Sequence, residues 1–89
     1  MEMIKMAKVE IYTWDTCPFC VRAKSLLDSK DADYTEYMIK GDDDARDKMA
    51  KRANGRRTVP QIFIDDNWVG GCDDLHLLEA TGKLDQLLD

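Results

Sequence analysis

Val9-Glu10-Ile11-Tyr12-Thr13-Trp14-Asp15-Thr16-Cys17-Pro18-Phe19-Cys20 joins two kinds of pattern within twelve residues. The first five alternate with period 2 and are rich in β-formers, which predicts a strand. Trp14-Asp15-Thr16 then turns the chain, and a helix is expected from Cys17 or Pro18 to Ser29. Pro18 suits the first helical position, where a missing N–H is harmless and the fixed φ is already helical. Cys20, Ala23, Leu26 and Leu27 supply the i, i+3, i+4 apolar stripe of a packed helix. A strand that runs straight into such a helix puts two cysteines at a helix start.

That position has chemical meaning. A thiol reacts as its thiolate, and an ordinary cysteine is mostly protonated at neutral pH. A helix N-terminus offers unpaired backbone N–H groups and the positive end of the dipole, and in Cys-x-x-Cys motifs the pKa falls to roughly 3.5–7.5. Cys20 lies on the same helix face as Cys17, one turn deeper. Cys17 is therefore expected to be the nucleophile and Cys20 the resolving thiol. The competing reading is half of a zinc site. Its further ligands would have to be Cys72 and His76, whose spacing matches no standard zinc pattern well.

Outward from this stretch the pattern continues. Tyr34–Ile39 alternates and reads as a second strand. Asp42, Asp43 and Asp44 place anions where a helix begins, Lys51 and Arg52 place cations where it ends, and Asn54-Gly55 stops it. Val59–Ile64 is the most hydrophobic strand and is linked by Asp65-Asp66-Asn67 to a short partner, Trp68-Val69. Gly70-Gly71 interrupts; a helix then runs from Asp73 to Ala80, and Leu84, Leu87 and Leu88 anchor a last turn. The order β-α-β-α-β-β-α predicts an α/β fold: a four-stranded mixed sheet flanked by helices, with a parallel first β-α-β unit and an antiparallel final hairpin.

Length and charge narrow the function. At 89 residues the chain is one domain, 1–89, with residues 1–7 expected to be a flexible N-terminus. A net charge of −5 argues against general nucleic-acid or anionic-membrane binding. Six cations from Arg46 to Arg57 face Asp47 alone, a local +5 that could hold a small anion. No apolar run approaches a membrane span, and Met1–Met6 has no hydrophobic signal core, so a cytoplasmic location is expected. Three cysteines are too few for a secreted disulfide framework.

Two further motifs complete the reading: Arg57-Thr58-Val59-Pro60-Gln61-Ile62-Phe63-Ile64 and Gly70-Gly71-Cys72-Asp73-Asp74-Leu75. Together with Thr16-Cys17-Pro18-Phe19-Cys20 they resemble a dithiol glutaredoxin, over almost everything from Val9 to Leu88. The resemblance implies a thioredoxin-like fold and glutathione-dependent reduction of protein disulfides and protein–glutathione mixed disulfides. Glutathione would be the reductant and no metal would be required. Substrates would include proteins such as ribonucleotide reductase, with the chain acting as a monomer.

The resemblance also implies site roles. Val59 and a cis Pro60 would face the active-site sulfur, leaving the Val59 backbone to pair with an extended peptide. Gly71, Cys72, Asp73 and Asp74 would receive the γ-glutamyl end, with helix N–H groups on its carboxylate and one aspartate on its ammonium. Arg57, next to Thr58, would pair with the glycine carboxylate. Phe19, where relatives commonly carry tyrosine, keeps an aromatic wall. Trp14 stands where many relatives have a lysine, so the thiolate is expected to lean on the helix terminus and Arg57. Cys72 reads as a small packed residue and His76 as a surface or packing residue.

Two rival functions fit the same fold. One is a thioredoxin-like electron donor served by a flavoprotein reductase, for which the Gly-Gly-Cys-Asp-Asp anion site would be superfluous. The other is a carrier of a [2Fe–2S] cluster bridged by Cys17 and two glutathiones, a role found mostly where glycine or serine replaces Pro18 or Cys20.

Overall fold

The computed structural model describes residues 7–89. The flexible segment expected over residues 1–7 lies, for residues 1–6, outside the described residues; Ala7 packs against the core. The elements are β1 (Val9–Thr13), α1 (Pro18–Ser29), β2 (Tyr34–Met38), α2 (Asp43–Arg52), β3 (Gln61–Ile64), β4 (Asn67–Gly70), α3 (Cys72–Ala80) and α4 (Leu84–Leu88). The sheet order is β2-β1-β3-β4. β1 and β2 are parallel, with Val9 opposite Tyr34. β1 and β3 are antiparallel, as are β3 and β4. This is the mixed four-stranded sheet expected of a thioredoxin-like fold.

Strand periodicity divides the core in two. Val9, Ile11, Ile62 and Ile64 point to one face, where Ala23 and Leu27 of α1, Leu75 of α3, and Leu84 and Leu88 of α4 cover them. Tyr12 and Phe63 point to the other, against Ile39, Met49 of α2 and Ala53, the residue that caps the C-terminus of α2. Each fully buried Leu or Ile stabilises the fold by roughly 1.5–3 kcal/mol. No helix among the described residues is long and apolar enough to cross a membrane.

The helix punctuation follows local chemistry. Asp42 caps α2 by accepting the Ala45 N–H at 3.0 Å, with Asp43 and Asp44 in its first turn and Lys51 and Arg52 in its last. Beyond it Asn54 and Gly55 take positive φ, and the Gly55 N–H returns to the Ala50 carbonyl at 2.8 Å. Several boundaries differ from expectation: β2 ends at Met38 instead of Ile39, and β4 runs from Asn67 to Gly70, one residue longer at each end than Trp68-Val69. β3 starts at Gln61, because Val59 and Pro60 form a cis turn outside the ladder. α3 starts at Cys72, with Gly71 as its N-cap.

Glu10 alternates onto the α2 face of β1 and is buried there. Arg52 grips it with both guanidinium nitrogens, at 2.8 and 3.2 Å, and the Tyr37 hydroxyl donates to it at 2.9 Å. The bond from Arg52 outweighs burial and holds the Glu10 carboxyl below its ordinary range, and Glu10 in turn raises Arg52. Arg52 also lies 4.0 Å over the Phe63 ring.

Candidate active site

Thr16 takes a left-handed φ of 54°, which swings the chain out of β1 and sets Cys17 as the N-cap of α1. Serine or aspartate usually caps a helix through a side-chain oxygen. Here the Cys17 sulfur fills that role, accepting the Cys20 N–H at 3.2 Å. Pro18 at the first helical position removes a donor the helix could not use internally. The same sulfur lies 4.0 Å from the Val59 carbonyl, so a turn 42 residues away closes over it. Cys17 is half-buried and Cys20 buried, and both are free thiols. Burial, reinforced by the contact with Cys17, pushes the Cys20 thiol up to about 12. The outer sulfur is open to attack a substrate and the inner one stays protonated, as nucleophile and resolver require.

A cleft opens beside this pair, lined by Phe19 of α1, Arg56, Thr58 to Gln61, and Gly71 to Asp74. The Val59–Pro60 peptide is cis. Gly71 lies so near this turn that a Cβ on it would sit 3.3 Å from the Pro60 carbonyl oxygen. Asp74 reaches back from the first turn of α3 to accept the Gly71 N–H at 3.0 Å and faces Arg56 at 3.4 Å. Asp73 is exposed at the same helix start. Cys72 is buried, and that burial raises its thiol.

Gly70 makes this end of the cleft possible. Its φ of +121° belongs to a region that side chains avoid, and a Cβ there would meet the Asp74 side chain at 2.7 Å from Cγ. Gly70→Ala is therefore expected to destabilise the fold by about 1–3 kcal/mol and to dislodge Asp74 from the Gly71 N–H. Urea unfolding checks it: an unchanged midpoint would show that the turn accommodates the methyl group.

Most expected site residues converge. Cys17, Cys20, Phe19, Thr58, Val59, Pro60, Gly71, Cys72, Asp73 and Asp74 meet at one end of the sheet. Two are placed differently. Arg57 does not line the cleft; it pairs with Asp47 of α2 at 2.8 Å, on a separate groove with Lys51 and Asn54. Arg56 lines the cleft instead, held over the Trp68 ring at 5.2 Å and against Asp74. Trp14 is also off the cleft wall: the Arg46 guanidinium stacks 4.6 Å above its ring, so a cation accompanies the indole. Gln61 was not expected in the cleft at all. Only its place one residue after Pro60 could have suggested it.

Comparison with known proteins agrees with this geometry. The glutaredoxin family model matches residues 9–69. A probable glutaredoxin of Synechocystis sp. is 59% identical over 86 residues, covering 97% of this chain and 98% of that protein. The solution structure of a dithiolic glutaredoxin from Trypanosoma brucei brucei superposes with a TM-score of 0.84 at 41% identity, covering 96% of this chain and 90% of that one. The crystal structure of a buckwheat glutaredoxin–glutathione complex also reaches a TM-score of 0.84, at 28% identity, over 92% of this chain and 76% of that one. The matched span runs from the strand that delivers Cys17, through the cis turn above its sulfur, to the hairpin behind the cleft. This chain belongs to the glutaredoxin family and is a thiol–disulfide oxidoreductase.

Proposed function

We propose that this chain uses glutathione to reduce protein–glutathione mixed disulfides and protein disulfides in the cytoplasm. The observation that carries the reading is the Cys17 sulfur, which caps α1 beneath the Val59 carbonyl at the edge of a peptide-sized cleft. An extended tripeptide can pair with the Val59 backbone and present its central sulfur to Cys17. Its amino-acid head group then meets the N–H groups at the start of α3 and the carboxylates of Asp73 and Asp74.

In the monothiol route the Cys17 thiolate attacks the glutathione sulfur of the mixed disulfide. The protein sulfur leaves as thiolate and takes a proton from water. A second glutathione thiolate attacks the glutathione sulfur now on Cys17, forming oxidised glutathione and returning the Cys17 thiolate. In the dithiol route Cys17 attacks a protein disulfide, of the kind carried by ribonucleotide reductase. Cys20 then loses its proton and attacks the Cys17 sulfur, releasing the reduced protein and leaving a Cys17–Cys20 disulfide. Two glutathiones reduce that bond and emerge as one oxidised glutathione. The chain performs both routes as a monomer.

The test compares reductants. Turnover of a glutathionylated protein is expected with glutathione and glutathione reductase, at a rate at least about tenfold above that with a flavoprotein thioredoxin reductase. Equal or greater turnover with the flavoprotein would replace this reading with that of a thioredoxin-like donor.

A further inference from the structure

A chain of polar side chains runs behind the cleft, and its direction is set at one end. The Trp68 indole N–H donates to the Gln61 side-chain carbonyl at 2.8 Å. An indole nitrogen can only donate, so the amide atom facing it must be oxygen, which fixes the orientation of the Gln61 amide. The NH₂ group of Gln61 is thereby turned toward the Thr58 hydroxyl oxygen, 3.3 Å away. Gln61 is 1% exposed and cannot exchange these partners for water. With its oxygen accepting from Gln61, Thr58 directs its hydrogen elsewhere. Thr58 is exposed on the cleft wall, and its hydroxyl donates to no group among the described residues.

We propose that Trp68 and Gln61 are positioning residues that turn the Thr58 hydroxyl hydrogen into the cleft, so that Thr58 donates to an acceptor, a carboxylate or peptide carbonyl, of the bound peptide. The inference rests on the glutathione reading and deepens it by assigning a polarity to one wall of the site. The hydroxyl keeps one lone pair beyond the one Gln61 uses, so the polarity is a preference for an acceptor at that point over a donor.

The experiment is a double-mutant cycle read by steady-state kinetics on the mixed disulfide of glutathione and cysteamine. Thr58→Val, which keeps the shape and removes the hydroxyl, is expected to raise KM about fivefold to tenfold with kcat little changed, and Thr58→Ser to stay near wild type. Trp68→Phe is expected to raise KM by about threefold in the wild-type background and to have no effect in Thr58→Val. Trp68 also supports Arg56, but a defect transmitted that way would persist without the Thr58 hydroxyl, so the masking separates the two routes. Gln61→Met, which keeps the length and removes the amide, should show the same masking and serves if Trp68→Phe perturbs the fold. Multiplicative KM effects in the double variants, or Gln61→Met with the wild-type KM, would overturn the proposal while leaving glutathione dependence standing. Wild-type protein without glutathione-dependent turnover would overturn the functional reading and this inference with it.

Discussion

Cys17→Ser is expected to lose more than about 10³-fold in glutathione-coupled turnover, while Cys20→Ser keeps mixed-disulfide activity within about threefold. The asymmetry follows from where the sulfurs sit. The Cys17 sulfur is the one that caps the helix and reaches the Val59 turn. A serine hydroxyl could keep the cap but would not ionise to a nucleophile at neutral pH. Cys20 is 1% exposed and its thiol is pushed up to about 12 by burial, so it is withdrawn from any external disulfide. Its backbone N–H caps onto the Cys17 sulfur, and Cys20→Ser leaves that bond in place. The same variant should fail on protein disulfides, where the mixed disulfide with Cys17 can then be resolved only from outside. Assays of both variants on both substrate types decide the matter. Activity surviving in Cys17→Ser would refute the nucleophile assignment, and equal loss in both variants on the mixed disulfide would make the dithiol route obligatory.

Arg52→Met is expected to cost about 2–4 kcal/mol of stability at pH 7, because it leaves the buried Glu10 carboxylate without its bidentate partner. The lower part of that range allows for water reaching the partly exposed Arg52. The pH dependence has a definite sign. The Glu10 carboxyl is lowered in the folded chain, chiefly by Arg52. Its stabilisation is therefore fully present above the unfolded value of about 4.3 and is lost as pH falls through the folded one. Without Arg52, burial dominates and favours the protonated acid. The stability gap between wild type and variant should thus narrow steadily from pH 6 to pH 3. Adding Glu10→Gln to Arg52→Met should recover part of the loss at neutral pH. Denaturant titrations across that pH range give the measurement, and a gap independent of pH would show that packing of Arg52 on Phe63, not charge, accounts for the effect.

What could be seen in the sequence was what short-range chemistry determines. Pro18 after Cys17, the Asp42–Asp44 run and Asn54-Gly55 placed helix ends within a residue of where they fall, since capping and φ preferences act within one turn. The sequence of elements, the parallel β1–β2 pair and the antiparallel β3–β4 hairpin followed from pattern and connection length; the place of β1 between β2 and β3 did not. Long-range choices were not visible. Arg56 and Arg57 are adjacent and chemically alike, and which one faces the cleft depends on Asp74 and Asp47, each brought in by a different helix. Val9-Glu10-Ile11-Tyr12 alternates in the same way whether Glu10 meets water or, as here, the face of α2. The part Gln61 plays depends on Trp68, across the β3–β4 hairpin.

The Cys17 cap also bears on electron affinity. An amide hydrogen aimed at sulfur holds a negative atom better than one engaged in a neutral S–S link, so the cap favours the dithiol form over the disulfide. Thermodynamic linkage turns that preference into voltage: each ~1.4 kcal/mol by which the dithiol is favoured raises the midpoint potential of the pair by ~30 mV. The first turn of one helix thus sets how readily this protein gives up its two electrons, and a weaker cap would make it a stronger donor.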